Sequence, residues 1–311
     1  MPFPPRPRRL QTIALVVALS TTGSLMAPLS VAASASAPSA AAAAPATAPS
    51  VAAPALSRIA GADRYATSVA ASRRAFPTGT TSPVVYLVSG TSRVEGYGAI
   101  AAAAAQGGSV LLTSTGGIPA LVAAELDRLN PTRIVLVGST TTLATTVAQA
   151  ATRYAPTVQR VSGGGAAGTS QALNRLAFTE ATKAWVVTSA SATDAVVGAT
   201  AAGAHRSPVI VLDGSKADLP SANASLLRDL GVASVTIVGS TAAVSSGIKA
   251  DIESIVGSAN VVRASGADRY TVAARVNALA WPAMAPGTAY LANGRETTNA
   301  FAGALLAARQ K

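Results

Sequence analysis

A short motif recurs three times along this chain of 311 residues, at intervals of about a hundred residues. The sequence RIAGADRY begins at Arg58, RVSGGGAAG begins at Arg160 and RASGADRY begins at Arg263. Self-similarity at a fixed period is the signature of chains built from one structural unit in tandem. We therefore expect copies of a single unit of about 100 residues, with the third copy extending to Lys311.

Within each copy, short apolar runs alternate with stretches that have the apolar spacing of helices. VVYLVS starts at Val84, SVLLTS at Ser109 and RIVLVG at Arg133, and their counterparts further along are AWVVTS, PVIVLD, SVTIVG and TAYLAN. Continuous Val, Ile and Leu runs are typical of parallel strands covered on both faces. We predict an α/β fold of tandem repeats, each a small doubly wound parallel sheet with helices on both faces.

The third copy stops inside its first crossover helix. It lacks counterparts of the strands that begin at Ser109 and Arg133 in the first copy. Two strands alone would leave unpaired edges and an uncovered face. Two alternatives follow for this incomplete repeat: the chain is truncated, or the remnant packs on its neighbours. Self-association that completes repeat 3 is a further expectation.

The amino-terminal segment has the three-part pattern of a signal peptide. Arginines 6, 8 and 9 precede an apolar run from Leu10 to Leu19, and small residues follow, with cleavage predicted after Ala33 or Ala37. The apolar run is too short for a membrane span. We predict a signal peptide over 1–37, an Ala/Pro-rich linker over 38–57, repeat 1 over 58–159, repeat 2 over 160–262 and a partial repeat 3 over 263–311.

The composition restricts the chemistry that the chain can perform. There is no cysteine, and His205 is the one histidine, so thiol chemistry, cysteine metal sites and most Ser-His-Asp triads are disfavoured. The formal net charge is +11, and it remains +8 without the three leader arginines. For an exported protein, such a charge indicates anionic polymers as partners, although it can also serve solubility alone.

Polar residues follow the predicted strands. In a doubly wound sheet, ligands bind beyond the carboxyl ends of the strands. Hydroxyl groups and free amides near helix N-termini at these ends suit anions or sugars. The residues concerned are Ser89, Thr113, Ser139, Ser189, Ser240 and Asn293.

The glycine cluster Gly163–Gly168 fits the spacing of a dinucleotide-binding turn. That fingerprint also needs an acidic residue at the end of the next strand to hold a ribose. Here the strand starting at Ala184 ends in Thr188 and Ser189, and the first carboxylate is Asp194. The glycines therefore serve backbone freedom in a strand-to-helix turn, or their amides cradle a wall phosphate.

Taken together and in order, these motifs resemble the cell wall-binding repeat 2 family. The motifs are the R-[IV]-x-G-x-D-R-Y opening, the strand ending in Ser-Gly and the "IVGS-x-x-A-V-S" strand, and the resemblance covers residues 58–311. It implies flavodoxin- or Rossmann-like repeats around a pseudo-threefold axis. It also implies a non-catalytic module that holds anionic wall polymers of Gram-positive cells without a covalent bond. We expect neither a cofactor nor a metal.

The resemblance and the strand ends together predict which residues contact the polymer. The acidic position at the start of the first crossover helix is Asp194 in the second copy, Asn299 in the third, and Val94 with Glu95 beside it in the first. For Asp-Arg-Tyr, the alternatives are polymer binding, or helix capping by Asp with Arg and Tyr in packing roles. The predicted polymer-binding set is Arg58, Arg64, Tyr65, Ser89, Thr113, Ser139, Arg160, Gly163, Gly165, Ser189, Asp194, Ser240, Arg263, Arg269, Tyr270 and Asn293.

The predicted function is non-covalent anchoring of an exported protein to the Gram-positive cell wall. The partner would be a teichoic-acid-like polymer or a secondary wall polysaccharide, with no nucleic acid and no stable membrane insertion. The predicted location is secreted and wall-associated. Two alternatives stay open at this stage: an exported enzyme or nucleotide binder that uses the strand-end loops and Gly163–Gly168, and a degenerate repeat protein that binds nothing.

Overall fold

The structure is a computed structural model that describes residues 13–15, 55–282 and 287–309. Two short 3-10 turns, Val94–Gly96 and Ser258–Asn260, accompany the regular elements. In chain order the strands and helices are β1 Ile13–Leu15, α1 Arg64–Ala75, β2 Val84–Ser89, α2 Tyr97–Ala105, β3 Ser109–Thr113, α3 Ala120–Leu129, β4 Arg133–Val137, α4 Thr145–Ala151, β5 Thr157–Val161, α5 Ala166–Ala177, β6 Lys183–Thr188, α6 Ala192–Ala204, β7 Val209–Leu212, α7 Ser221–Asp229, β8 Ser234–Val238, α8 Ser246–Val256, β9 Val261–Ala264, α9 Arg269–Ala280, β10 Thr288–Tyr290 and α10 Thr297–Arg309.

Two four-stranded parallel sheets form the framework. Their strand orders are β3-β2-β4-β5 and β7-β6-β8-β9, and every pair within them is parallel. All six residues of β2 are buried, as a parallel strand covered on both faces requires. The prediction of tandem, doubly wound α/β repeats is confirmed.

In each sheet the direction in which strands are added reverses between two neighbouring strands, which are β2 and β4 in the first sheet and β6 and β8 in the second. The chain leaves β2 toward β3 on one side and then returns to pair β4 on the other side, and β6, β7 and β8 repeat this path. Ligands of doubly wound sheets bind beyond the strand ends at such a reversal. Ser89 and Gly138 mark this point in the first sheet.

The Arg-x-x-Gly motif lies on the last strand of the preceding sheet. Arg160 belongs to β5 and pairs with Leu136, and Arg263 belongs to β9 and pairs with Ile237. The repeat boundaries predicted at 159/160 and 262/263 therefore fall inside β5 and β9. The period of the sequence and the period of the sheets are offset by one strand.

Three Ala-rich helices join the repeats at the centre of the molecule. Helices α2, α6 and α10, one from each repeat, pack against one another. Around them, α5 packs on α2, α9 on α6 and α1 on α10, which repeats the same contact three times. The third copy thus packs on its neighbours through α9 and α10. This arrangement agrees with the threefold association that the resemblance implies.

Little of the predicted signal peptide and linker lies within the described residues. Strand β1, inside the predicted 1–37 segment, pairs in parallel with β10, with Ile13 opposite Thr288. Residues 55–58, which include Arg58, are exposed and form neither helix nor strand. Among the helices of the described ranges, none combines the length and apolar character needed to cross a bilayer.

Candidate functional site

The two Asp-Arg-Tyr motifs begin helices. Asp63 is the N-cap of α1 and accepts a hydrogen bond from the Ala66 backbone N–H at 2.7 Å. Asp268 caps α9 and accepts from the Thr271 N–H at 2.7 Å, and this bond lowers the pKa of Asp268. Side-chain carboxylates at this position satisfy amides that the helix itself leaves unpaired. Both aspartates therefore have a structural role.

The arginine and tyrosine of each motif contact the loop after the first strand of their own repeat. Arg64 Nη1 donates to the Gly90 carbonyl at 2.7 Å, and Arg269 Nη1 donates to the Gly294 carbonyl at 2.7 Å. The rings of Tyr65 and Tyr270 lie directly against Gly90 and Gly294, where a side chain would collide with them. Both arginines are exposed. Their remaining N–H groups can thus meet a ligand.

Arg160 and Arg263 hold the loop that follows the third strand of the preceding sheet. Arg160 Nη1 donates to the carbonyls of Gly138 at 2.8 Å and Ser139 at 2.9 Å. Arg263 Nη1 donates to the carbonyls of Gly239 at 3.1 Å and Ser240 at 3.0 Å, and burial lowers the pKa of Arg263. These guanidinium groups bind backbone of their own chain.

The glycine cluster is a close approach between a strand end and a helix. A Cβ on Gly163 would lie 2.0 Å from the Gly168 carbonyl carbon, so neither position accepts a side chain. Gly165 occupies the N-cap position that Asp63 occupies in repeat 1, with a φ of 128° that favours glycine. Thr169, on the helix α5 that follows the glycine cluster, donates a hydrogen bond to the Glu95 carboxylate. An acid at this place opposes the binding of a pyrophosphate.

Most strand-end polar groups bond within their own loops. Ser89 Oγ accepts from the Ser92 N–H at 3.1 Å, and Thr113 Oγ1 donates to the Gly117 carbonyl at 3.0 Å. Ser139 Oγ is 2.7 Å from Thr141 Oγ1, and Asn293 Oδ1 accepts from the Arg295 N–H at 2.9 Å. These four side chains order the turns that follow the strands. Ser189 is half-buried, and its N–H donates to the Leu212 carbonyl.

A polar pocket lies where repeat 2 meets repeat 3, and we call it the repeat 2–3 pocket. Its volume is about 240 Å³, several times the roughly 30 Å³ that one water occupies. The second half of the motif that starts repeat 3 contributes to it, together with the start of α6 and the loop after β8. It is lined by Ser191, Thr193, Asp194, Ser240, Gly266, Asp268, Arg269 and Val272.

Asp194 is the buried charged group of this pocket, with 9% of its surface exposed. Burial raises the pKa of its carboxyl group, against the opposing effects of a hydrogen bond with Ser191 and the charge of Arg269. The N-cap of α6 is Ser191, whose Oγ accepts from the Asp194 N–H at 3.4 Å. The sequence favours Asp194 as a helix cap over a general base, but the structure gives the cap to Ser191 and places Asp194 in the first turn.

The same position in repeat 1 is Glu95, and the sequence alignment with Val94 is one residue off. Glu95 follows Gly90 by five residues, and Asp194 follows Ser189 by five residues. Gly90 and Ser189 are equivalent, because the backbone N–H of each donates to the last residue of the neighbouring strand. Glu95 Oε2 also lies beside Gly138, as Asp194 Oδ2 lies beside Gly239. The two acids are thus structural counterparts at the two junctions.

The predicted set does not form one continuous site. The repeat 2–3 pocket brings together Asp194, Ser240 and Arg269, and the other predicted residues do not line it. The sequence did not indicate that Ser191 and Thr193 line a pocket, or that Asp268 lines it in addition to capping α9. The signal for Ser191 was its spacing of three residues before Asp194, which is the pattern of a capping box.

Comparison with known proteins identifies the family of the chain. The model of the family described as "Cell wall binding domain 2 (CWB2)" matches residues 58–156 and 160–249, and the chain belongs to this family. N-acetylmuramoyl-L-alanine amidase LytC of Bacillus subtilis is 24% identical over 256 residues, which are 82% of this chain and 49% of that protein. The chain therefore spans about half the length of this curated relative.

Two solved structures share the fold. Cwp6 from Clostridium difficile aligns with a TM-score of 0.69 at 23% identity, over 81% of this chain and 40% of that chain. Cwp8 from the same organism aligns with a TM-score of 0.68 at 23% identity, over 80% of this chain and 42% of that chain. At such identity, the likeness concerns the fold.

Proposed function

We propose that this protein is held non-covalently on the Gram-positive cell wall by binding anionic wall polymers, of the teichoic-acid or secondary wall polysaccharide kind. The observation that carries the proposal is the match of the cell wall binding domain 2 family to both complete repeats. The protein would be secreted and wall-associated, and the repeats themselves would perform no catalysis. An amidase activity, as in the Bacillus relative, would belong to another part of a longer protein.

The charge of the described surface supports an anionic partner. Five described Lys or Arg side chains, namely Arg73, Arg128, Arg175, Lys216 and Lys249, lie within 4.0 Å of a carboxylate. Other arginines are exposed to solvent. They include Arg58, Arg74, Arg153, Arg206, Arg228, Arg275 and Arg295. A surface with such an excess of cations attracts a polyanion, and salt screens that attraction.

Within the predicted contact set, exposure and charge favour three residues as polymer contacts. Arg58, Arg64 and Arg269 are exposed arginines, and a guanidinium pairs well with phosphate or carboxylate. Arg160 and Arg263 would support the site indirectly, because their N–H groups hold the loops that carry Ser139 and Ser240. Tyr65 and Tyr270 would order the loops that the exposed arginines touch.

Co-sedimentation with purified cell walls tests this proposal. The full chain is mixed with walls before and after acid removal of their anionic polymers, across a series of salt concentrations. Retention that disappears on removal of the polymers and weakens with salt would support the proposal. An unrelated folded protein of similar net charge serves as control for non-specific adsorption, and equal retention of both proteins would contradict specific anchoring.

A charge variant locates the surface involved. Replacing Arg58, Arg275 and Arg295 by Gln removes three exposed charges that take no part in the ion pairs of the described residues. We expect retention to fall and its salt dependence to become shallower, because fewer ions are exchanged on binding. An unchanged salt dependence would place the polymer elsewhere on the surface.

A further inference from the structure

The two junctions between successive repeats use the same acidic position in different ways. At the junction of repeats 1 and 2, Glu95 Oε2 accepts a hydrogen bond from Thr142 Oγ1 at 2.5 Å, and Glu95 Oε1 accepts from Thr169 Oγ1 at 3.3 Å. The acid is thus bonded on one side by the loop of its own repeat and on the other by the first helix of the next. Its carboxylate is satisfied by the protein.

At the junction of repeats 2 and 3, both hydroxyl partners are missing. Thr142 is the third residue after Ser139, and the third residue after Ser240 is Ala243. Thr169 is the sixth residue after the motif glycine Gly163, and its counterpart after Gly266 is Val272. Neither alanine nor valine can donate a hydrogen bond. Asp194 is also one methylene shorter than Glu95, so space remains where the glutamate would reach.

The result is an open pocket with a largely buried carboxylate in its wall. Asp194 is 91% buried, keeps Ser191 as its partner and faces the repeat 2–3 pocket. A buried carboxylate is costly unless its remaining acceptor sites are bonded. A ligand that supplies O–H donors would bond this carboxylate, as Thr142 and Thr169 bond the carboxylate of Glu95 at the first junction.

The lining chemistry defines the class of ligand. Asp194 and Asp268 supply acceptors, Ser191, Thr193 and Ser240 supply hydroxyl groups, and Arg269 supplies N–H donors. Two carboxylates beside one guanidinium disfavour a bare anion. A saccharide ring, whose adjacent hydroxyl groups donate and accept at once, matches this set.

We propose that the repeat 2–3 pocket binds one saccharide residue, with Asp194 accepting from its hydroxyl groups and Arg269 donating to its oxygen atoms. The first junction does not offer the same site, because Glu95, bonded to Thr142 and Thr169, takes the corresponding place there. The inference rests on the proposed function, since a wall polymer would present such a residue, with its anionic groups left outside the pocket.

Titration of the full chain with defined sugars tests the site. Glucose, galactose, glucosamine and N-acetylglucosamine are added separately, with inorganic phosphate as a comparison, and binding is followed by ligand-observed NMR and calorimetry. We expect saturable binding of at least one sugar at one site per chain, and no competition by phosphate. Binding of none of the four sugars would overturn the proposal, as would displacement of a bound sugar by phosphate.

Matched variants at the two junctions separate this site from its counterpart. Asp194→Asn keeps the shape but weakens an acceptor, and we expect an affinity loss of about tenfold, since hydrogen bonds to a charged group are among the stronger ones. Glu95→Gln makes the same change at the filled junction and should leave sugar binding unaltered. Equal effects of the two substitutions would contradict the assignment.

A second variant tests the reason for the difference. Ala243→Thr with Val272→Thr restores the two hydroxyl groups beside Asp194, and we expect them to occupy its carboxylate and weaken sugar binding while the chain stays folded. Unchanged affinity in this variant would overturn the explanation. Failure of this inference is separable from failure of wall anchoring: wall retention without sugar binding rejects the pocket, and sugar binding without wall retention rejects anchoring.

Discussion

Gly203 of α6 faces Ala308 of α10 so closely that a Cβ on Gly203 would lie 2.9 Å from the Ala308 Cβ. The same Cβ would lie 3.1 Å from the Ala104 Cβ on α2, so all three central helices meet at this point. The backbones approach to this distance because the residues are small. This contact is one of those that attach the third copy to the first two.

Gly203→Leu should therefore destabilise the fold. Side chains added to a packed contact force neighbouring helices apart, at a cost of about 1–3 kcal/mol. Urea unfolding of the full chain measures the change. Gly303→Ala is the matched control, because no atom lies within 4 Å of a Cβ built on Gly303, and relief of backbone entropy in α10 should raise stability by about 0.5–1 kcal/mol. Equal losses in the two variants would contradict the packing argument.

Glu125 gives repeat 1 a stability that depends on pH. Burial raises the pKa of this carboxyl group, but hydrogen bonds from Arg128, Ser72 and Arg73 outweigh that effect, so the pKa lies below its usual value of 4.5. The ionised form thus stabilises the folded state above the pKa of the unfolded chain. That contribution is lost as the pH falls through the lower pKa of the folded state.

Glu125→Gln should consequently lower the free energy of unfolding at neutral pH by about 1–3 kcal/mol, the cost of disturbing a buried charged network. The difference from the wild type should be constant above about pH 5 and should shrink on acidification below the unfolded-state pKa. Glu180→Gln, an exposed acid, is the control with no expected pH-dependent difference. A difference that persists unchanged at low pH would rule out the assigned ionisation.

Asp194 and Glu95 should respond oppositely in the ligand-free protein. The raised pKa of Asp194 means that its charge opposes folding once the pH rises above the unfolded-state value of 3.8, and fully so above the folded-state pKa. Asp194→Asn should then stabilise the protein at neutral pH, by at most about 1 kcal/mol, and the gain should vanish in acid. Thermal melting across pH measures it.

Glu95→Gln should instead destabilise the protein by about 1 kcal/mol, because Thr142 and Thr169 donate to the glutamate carboxylate. The comparison by thermal melting at neutral pH uses the same change of charge in both variants. A stabilising Glu95→Gln would show that the carboxylate is not satisfied by its two threonines.

Arg160 should control the order of the loop after β4. Its guanidinium donates to the Gly138 and Ser139 carbonyls, and removal of both bonds in Arg160→Ala should cost about 1–2 kcal/mol. Hydrogen exchange of residues 139–144 should become faster. Arg153→Ala removes an exposed arginine that shortly precedes β5 and should leave that exchange unchanged. Equal exchange in both variants would contradict the loop-holding role.

The strands of the sheets could be predicted because their apolar runs are continuous. β2 and β4 are buried on both faces, and the sequence shows this directly. β5 is an edge strand whose residues alternate between exposed and half-buried, and its neighbour along the chain is the motif of the next repeat. The boundary predicted from the sequence at 159/160 divides β5 between repeats 1 and 2, since only its pairing with β4 shows that it completes the first sheet.

The presence of Asp194 in the sequence did not by itself predict the repeat 2–3 pocket. Asp194 was recognised as a candidate, but what distinguishes it from Glu95 is the absence of hydroxyl groups at Ala243 and Val272. Those positions lie in different segments, and they meet the acid only after β8 and α9 have been placed beside α6. The roles of Asp63 and Asp268, by contrast, follow from local helix capping, which one of the two sequence interpretations had named.

The offset between motif and sheet means that successive copies are interlocked. The last strand of each complete sheet runs across the boundary into the opening residues of the following copy, with Arg160 and Arg263 inside the shared strands. Cutting out or moving one copy at its motif boundary would remove part of the last strand from one sheet. The removed residues would then have no strand to pair with in their new place. We therefore expect deletion and duplication of these copies to be tolerated at cuts placed after β5 or β9, where each sheet keeps all four of its strands.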